Sequence, residues 1–156
     1  MKPASLAEIR RELKTRSPKE VQEICLRLAR FKKDNKELIS YLLFEAQNEN
    51  AYIQAVKQDI DEMMGEINTS HLYYAKKSLR KILRQVNKNI RYSGEKRTQV
   101  ELLIHFCEAM NQSGIPIHRS TVLTKMYERQ KVKIKKTIDS LHEDLQADYE
   151  GELERL

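Results

Sequence analysis

The sequence predicts an all-α protein, and three observations predict it. Apolar residues recur at three- and four-residue intervals along most of the chain. Gly (4), Pro (3) and Trp (0) are scarce among 156 residues, whereas straight-chain helix formers abound. Capping signatures punctuate the periodic runs, and no segment alternates apolar and polar residues as a half-buried strand does. Together they give about seven helices with short connections, in a HEAT/armadillo-like α–α superhelix or an irregular helical bundle. Residues 1–156 are expected to form a single domain, with 146–156 an acidic C-terminal end that frays.

Each helix has a readable start. Ser5-Leu6-Ala7-Glu8 is a capping box, in which hydroxyl and carboxylate satisfy free amides of the first turn. Ser17-Pro18-Lys19-Glu20 is a second box, with Pro at the first helical position, where no amide hydrogen is needed. A third helix is expected from Asp34 or Asn35 and a fourth from Asn48; Asn68-Thr69-Ser70 offers caps for a fifth. Gly94 stops the fifth, Ser113-Gly114-Ile115-Pro116 closes the sixth, and Ser120 caps the seventh.

The apolar rows follow those boundaries. Leu6, Ile9 and Leu13 line the first helix; Val21, Ile24, Leu28 and Phe31 line the second. The third, with Leu38, Ile39, Leu42 and Leu43, is apolar over a wide arc and is expected to be central. The fourth carries Tyr52, Ile53, Val56 and Ile60. The sixth, with Val100, Leu102, Leu103, Ile104, Phe106 and Met110, is expected to be the most buried. The last runs through Leu123, Tyr127, Ile134, Ile138, Leu141 and Leu145 at near-heptad spacing, which would allow a homodimer.

The opening stretch, from Ser5 through Leu43, resembles the N-terminal helices of small all-helical bacterial domains. The likeness lies in a Leu-rich first helix, a Ser-Pro-Lys-Glu cap and a basic turn after the second helix. It covers about the first quarter to third of the chain, implies an all-α fold and carries over no catalytic residue.

Charge is strongly segregated beneath the net +6. Residues 45–66 and 137–156 are acidic, while 76–97 hold nine Lys and Arg against Glu95 alone. Within the fifth helix Lys77, Lys81, Arg84, Lys88 and Arg91 recur at spacings of four, three, four and three. Leu72, Leu79, Leu83, Val86 and Ile90 keep the same beat on the opposite side. At about 100° per residue, one face is core and the other a cationic row about 20 Å long. Arg97, Lys133 and Lys136 are expected to extend it. Phosphate backbones are held by such rows, and Tyr73, Tyr74 and Tyr92 flank it where bases could stack.

The last helix reads as basic then acidic, from Arg129–Lys136 to Asp139–Glu154. That order opposes the helix macrodipole, which favours anions at the N-terminus. The acidic end is therefore expected either to stay solvated or to fold over the basic helix and compete for its ligands.

Catalytic constellations are thin. Glu20/Glu23 and Asp59/Glu62 are paired at helical spacing, as in all-helical Mg²⁺-dependent nucleotide pyrophosphohydrolases, but the denser acidic cluster of those enzymes is absent. Glu101, His105 and Glu108 share a helix face without a second His-bearing motif; His71, His118 and His142 are scattered. Cys25 and Cys107 lie in apolar rows and read as buried thiols in a reducing compartment. No Gly-rich phosphate loop occurs.

The resulting expectation is a non-catalytic, cytoplasmic binding protein without a cofactor. Its partner would be nucleic acid, another polyanion or an acidic protein surface, met through the basic face and not through a membrane. The alternatives are a helical protein-interaction scaffold and, more remotely, the Mg²⁺-dependent hydrolase.

Overall fold

A computed structural model describes all of residues 1–156. It is all-helical, with eight α-helices, a π-helical turn over Tyr41–Glu45, a 3-10 turn over Ile117–Arg119 and no strand. The chain divides into two compact units, Met1–Phe44 and Glu45–Leu156. No helix is long and apolar enough to cross a membrane.

The first unit contains α1 (Leu6–Thr15), α2 (Pro18–Phe31) and α3 (Lys33–Ser40). Both capping boxes form: the Ser5 and Ser17 amides donate to Glu8 and Glu20 at 2.8 Å. The expected cap at Asp34 or Asn35 does not form, because α3 starts at Lys33 without a side-chain cap. Asn35 instead donates to the Leu28 carbonyl at 2.8 Å, satisfying one of the free acceptors near the end of α2. Nor is the third helix central. Tyr41 is the only buried residue of the unit, while Leu28 (55% exposed), Phe31 (80%) and Phe44 (74%) face solvent.

A 44-residue segment with one buried side chain has little to set against its backbone entropy. Amide exchange across residues 1–44 is expected to be faster by orders of magnitude than across the second unit. Mass-spectrometric hydrogen exchange checks this; equal protection in both units would contradict it.

The second unit comprises α4 (Glu49–Gly65), α5 (Leu72–Ser93), α6 (Lys96–Gln112), α7 (Thr121–Ile138) and α8 (Glu143–Glu154). Side-chain bonds give the helix directions. Tyr52 donates to the Asn89 carbonyl and Ser93 to Glu49, so α4 and α5 are antiparallel. Lys57 meets Glu101 and Asp61 meets His105, each at 2.7 Å; the constant offset makes α4 and α6 parallel neighbours. Gln99 reaches Thr137 and Asn111 reaches Tyr127, so α6 and α7 are antiparallel. Helices α4–α7 therefore form an up-down-up-down bundle, with α8 packed on α7 and α6. Of the two architectures open from the sequence, the bundle describes this unit.

Helix α6 is the most buried element, as its nearly continuous apolar surface predicts. Val100, Leu102, Leu103, Phe106, Cys107 and Met110 have no measurable exposure. Burial pushes the Cys107 thiol up to about 12, which leaves it an inert apolar filler. Cys25 is half-buried, and both cysteines are free thiols. Gly94 ends α5 at φ 72°, in the left-handed conformation the stop requires.

The seventh helix of the sequence reading is two helices. Asp139–His142 break the chain, and His142 caps α8. The break reverses the meaning of the charge order. Lys135 and Lys136 now lie in the last turn of α7, and Glu143 and Asp144 in the first turn of α8, where each helix dipole favours them. The acidic end is helical through Glu154 and docked: Tyr149 is 5% exposed, and Tyr127 donates to the Leu156 carbonyl at 2.5 Å. The near-heptad row is also occupied, since Leu123, Tyr127, Ile134 and Ile138 are buried within the unit's own core. Leu145, the last member of the row, is exposed.

Candidate nucleic-acid interface

Helix α5 is positioned by Ala75, Leu79, Ile82, Val86, Asn89 and Ile90, which are buried. Their spacing fixes the rotation of the helix, and the opposite side must face water. That side carries Lys77, Lys81, Arg84 and Arg91, all exposed, with Lys88 half-buried beside them. The 22 residues of α5 contain no Asp or Glu, so nothing on the helix itself neutralises the row.

Arg80 belongs to the same face and was missed in the sequence row. Arg80, Arg84, Asn87 and Arg91 recur at i, i+4, i+7 and i+11, a second line alongside Lys77, Lys81, Arg84 and Lys88. Helical periodicity alone places both lines on one face.

Lys133 joins this face from α7. Its ammonium donates to Asn87 Oδ1 at 2.9 Å. Burial first, and the Arg91 charge second, lower the Lys133 pKa below its ordinary value. Lys133 and Arg91 are thus like charges close enough to repel, so a ligand anion there relieves repulsion as well as gaining attraction. Arg129 and Lys136, one turn away on either side of Lys133, are exposed and share its face of α7. Arg129 is a second residue outside the sequence set.

Arg97 is placed differently from its expectation. It donates to the Tyr149 hydroxyl at 3.3 Å and lies 3.9 Å from Glu101, tied to α8 and α6 instead of extending the α5 row. Tyr149 in turn donates to Glu101 at 2.8 Å. Burial and this carboxylate hold the phenol up at about 12, so its proton stays available to Glu101. Burial alone would raise the Glu101 pKa. Hydrogen bonds from Lys57 and Tyr149, with the charges of Lys57 and Arg97, outweigh it and leave the pKa lowered.

Tyr73 and Tyr74 project at the start of α5 and meet edge to face, with ring centroids 5.5 Å apart. Both are exposed, whereas Tyr92 at the other end is half-buried.

The remaining constellations acquire structural partners. Glu20 caps α2, and both Ser17 hydrogen bonds and Arg16 lower its pKa. Burial and nearby Glu62 raise the Asp59 pKa. His105 pairs with Asp61, a partner 44 residues away that no local motif announces. No group of three His, Cys, Asp or Glu side chains is gathered where a metal ion could be held. The hydrolase alternative therefore has no assembled carboxylate centre. Comparison with protein-family models, curated proteins and solved structures finds no match to this chain.

Proposed function

We propose that the protein binds the phosphate backbone of nucleic acid, or a polyanion of similar spacing, without catalysing a reaction. The observation that carries this reading is the α5 face: basic residues on successive turns, no acid in the helix, and a rotation fixed by the core. Lys77, Lys81, Arg84, Lys88 and Arg91 supply the charge, with Arg80 beside them and Arg129, Lys133 and Lys136 from α7. Tyr73 and Tyr74 offer exposed ring faces for unpaired bases. A cytoplasmic setting belongs to the same reading.

The test is a salt titration of affinity, using a labelled 20-base-pair DNA duplex and a 20-nucleotide RNA. Phosphate contact predicts that log affinity falls linearly with log salt, by about 0.9 per contact on duplex and about 0.7 on single strands. An absence of binding at low salt, or affinity indifferent to salt, would refute the reading.

A second reading, a protein-interaction scaffold, is favoured by the apolar faces of α1–α3. Phe31 and Phe44 are far more exposed than a finished surface requires. That reading predicts a partner that stays bound after nuclease treatment and is lost on Phe31→Asp.

A further inference from the structure

Val21, Ile24, Leu28 and Phe31 recur along α2 at spacings of three, four and three, the a/d repeat of a coiled-coil seam. Ile24, Leu28 and Phe31 are exposed and Val21 is half-buried, so the seam is left largely open to water. Helix α3 packs on α2 beside it, where Cys25 and Ala29 are half-buried. The other flank is free. It carries Glu20, Glu23, Arg27 and Arg30, all exposed, along a depression of about 750 Å³ that Ile24 and Leu26 also line.

This stripe is acidic in its first half and basic in its second. The helix dipole favours that order only in the first and last turns, and Glu23 and Arg27 lie between them. An antiparallel two-fold pairing of α2 with itself sets each half of the stripe against the opposite half of its copy. When Ile24 meets Leu28 and Val21 meets Phe31 of the second copy, Glu20 falls opposite Arg27 and Glu23 opposite Arg30, each pair formed twice. A parallel pairing would set this flank against the one that α3 covers. A membrane surface would favour cations on both flanks, and an unrelated protein would need no match to the stripe's own reverse.

We propose that α2 is a self-association surface, pairing antiparallel with α2 of a second copy of this chain. The proposal rests on the scaffold reading of the apolar faces, to which it gives an occupant, and is independent of nucleic-acid binding. The seam from Val21 to Phe31 is about 15 Å long. That is too short to bury the roughly 800 Å² per partner of a standard interface, so the dimer is weak and concentration-dependent. At the low-micromolar concentrations of spectroscopic unfolding and hydrogen exchange the chain is monomeric.

The test is sedimentation equilibrium of the full chain between about 5 and 500 µM, a range suited to a small interface. Wild type is expected to shift from monomer to dimer across it. Leu28→Asp, at an exposed position, is expected to keep its helical ellipticity and to remain monomeric throughout. Arg27→Glu with Arg30→Glu makes the stripe wholly acidic, and Glu23→Arg makes it mainly basic. Each is expected to weaken self-association about tenfold, and an equimolar mixture of the two to recover it. Glu20 is left in place because it caps α2.

A wild type that stays monomeric overturns the proposal. If that monomer still holds a different protein after nuclease treatment, the scaffold reading stands without it. Dimers that persist in Leu28→Asp, or charge variants that mix without recovery, would place self-association on another surface and overturn the α2 pairing as well.

Discussion

Reversing Lys81 and Arg84 together to Glu is expected to lower affinity for the DNA duplex about a hundredfold or more at 0.1 M salt. Each lost phosphate contact removes about 0.9 from the salt slope, close to a tenfold loss at that concentration, and the introduced carboxylates add repulsion. Both side chains are exposed on the face opposite Leu79, Ile82 and Val86, so the core is untouched. Circular dichroism should therefore be indistinguishable from wild type while fluorescence anisotropy shows the loss. The slope is the decisive quantity. A variant that binds weakly with the original slope would have lost something other than phosphate contacts, and a variant that binds normally would place the site elsewhere.

Phe106→Ala is expected to cost about 3–5 kcal/mol, the range for emptying a buried aromatic site. Phe106 has no measurable exposure and lies on α6, which packs against α4, α5, α7 and α8. A void there removes contacts that hold several helices, and close packing leaves little room for collapse. Against a typical domain stability of about 5–15 kcal/mol, such a loss leaves a marginal protein. Thermal unfolding monitored by ellipticity should show a fall of about 10 °C or more. Phe31→Ala, at a residue 80% exposed, is expected to change stability by less than about 0.5 kcal/mol. A similar cost for both would mean that the first unit buries Phe31 in solution.

Where structure is local, it could be read from the chain. Ser5/Glu8 and Ser17/Glu20 close their capping boxes, Asn48 and Ser120 cap α4 and α7, and Gly94 stops α5. In each case the required partner sits within four residues, so the sequence contains the whole interaction. The α5 face was legible for the same reason, since helical periodicity alone decides which residues share it.

Pairings across the bundle could not be read in this way. Asp61–His105 and Lys57–Glu101 each span 44 residues, and Arg97 was assigned to the α5 row because its capture by Tyr149 depends on where α8 docks. The α7–α8 break was nearly visible. A single helix with lysines before carboxylates is unfavourable to its own dipole, and two helices with the same charges are not. The third helix departs from its expected central place because apolar width does not by itself bring burial. Leu42, Leu43 and Phe44 are instead exposed, so that width reports a surface and not a core.

The order of packing in the bundle also bears on how quickly it forms. Each of α4–α7 packs on the next in sequence, and α6 meets α4 across a single intervening helix. Most of the loops to be closed are therefore short, and the entropy lost before contacts are gained is small. Such low contact order places folding of residues 45–156 in the microsecond-to-millisecond range.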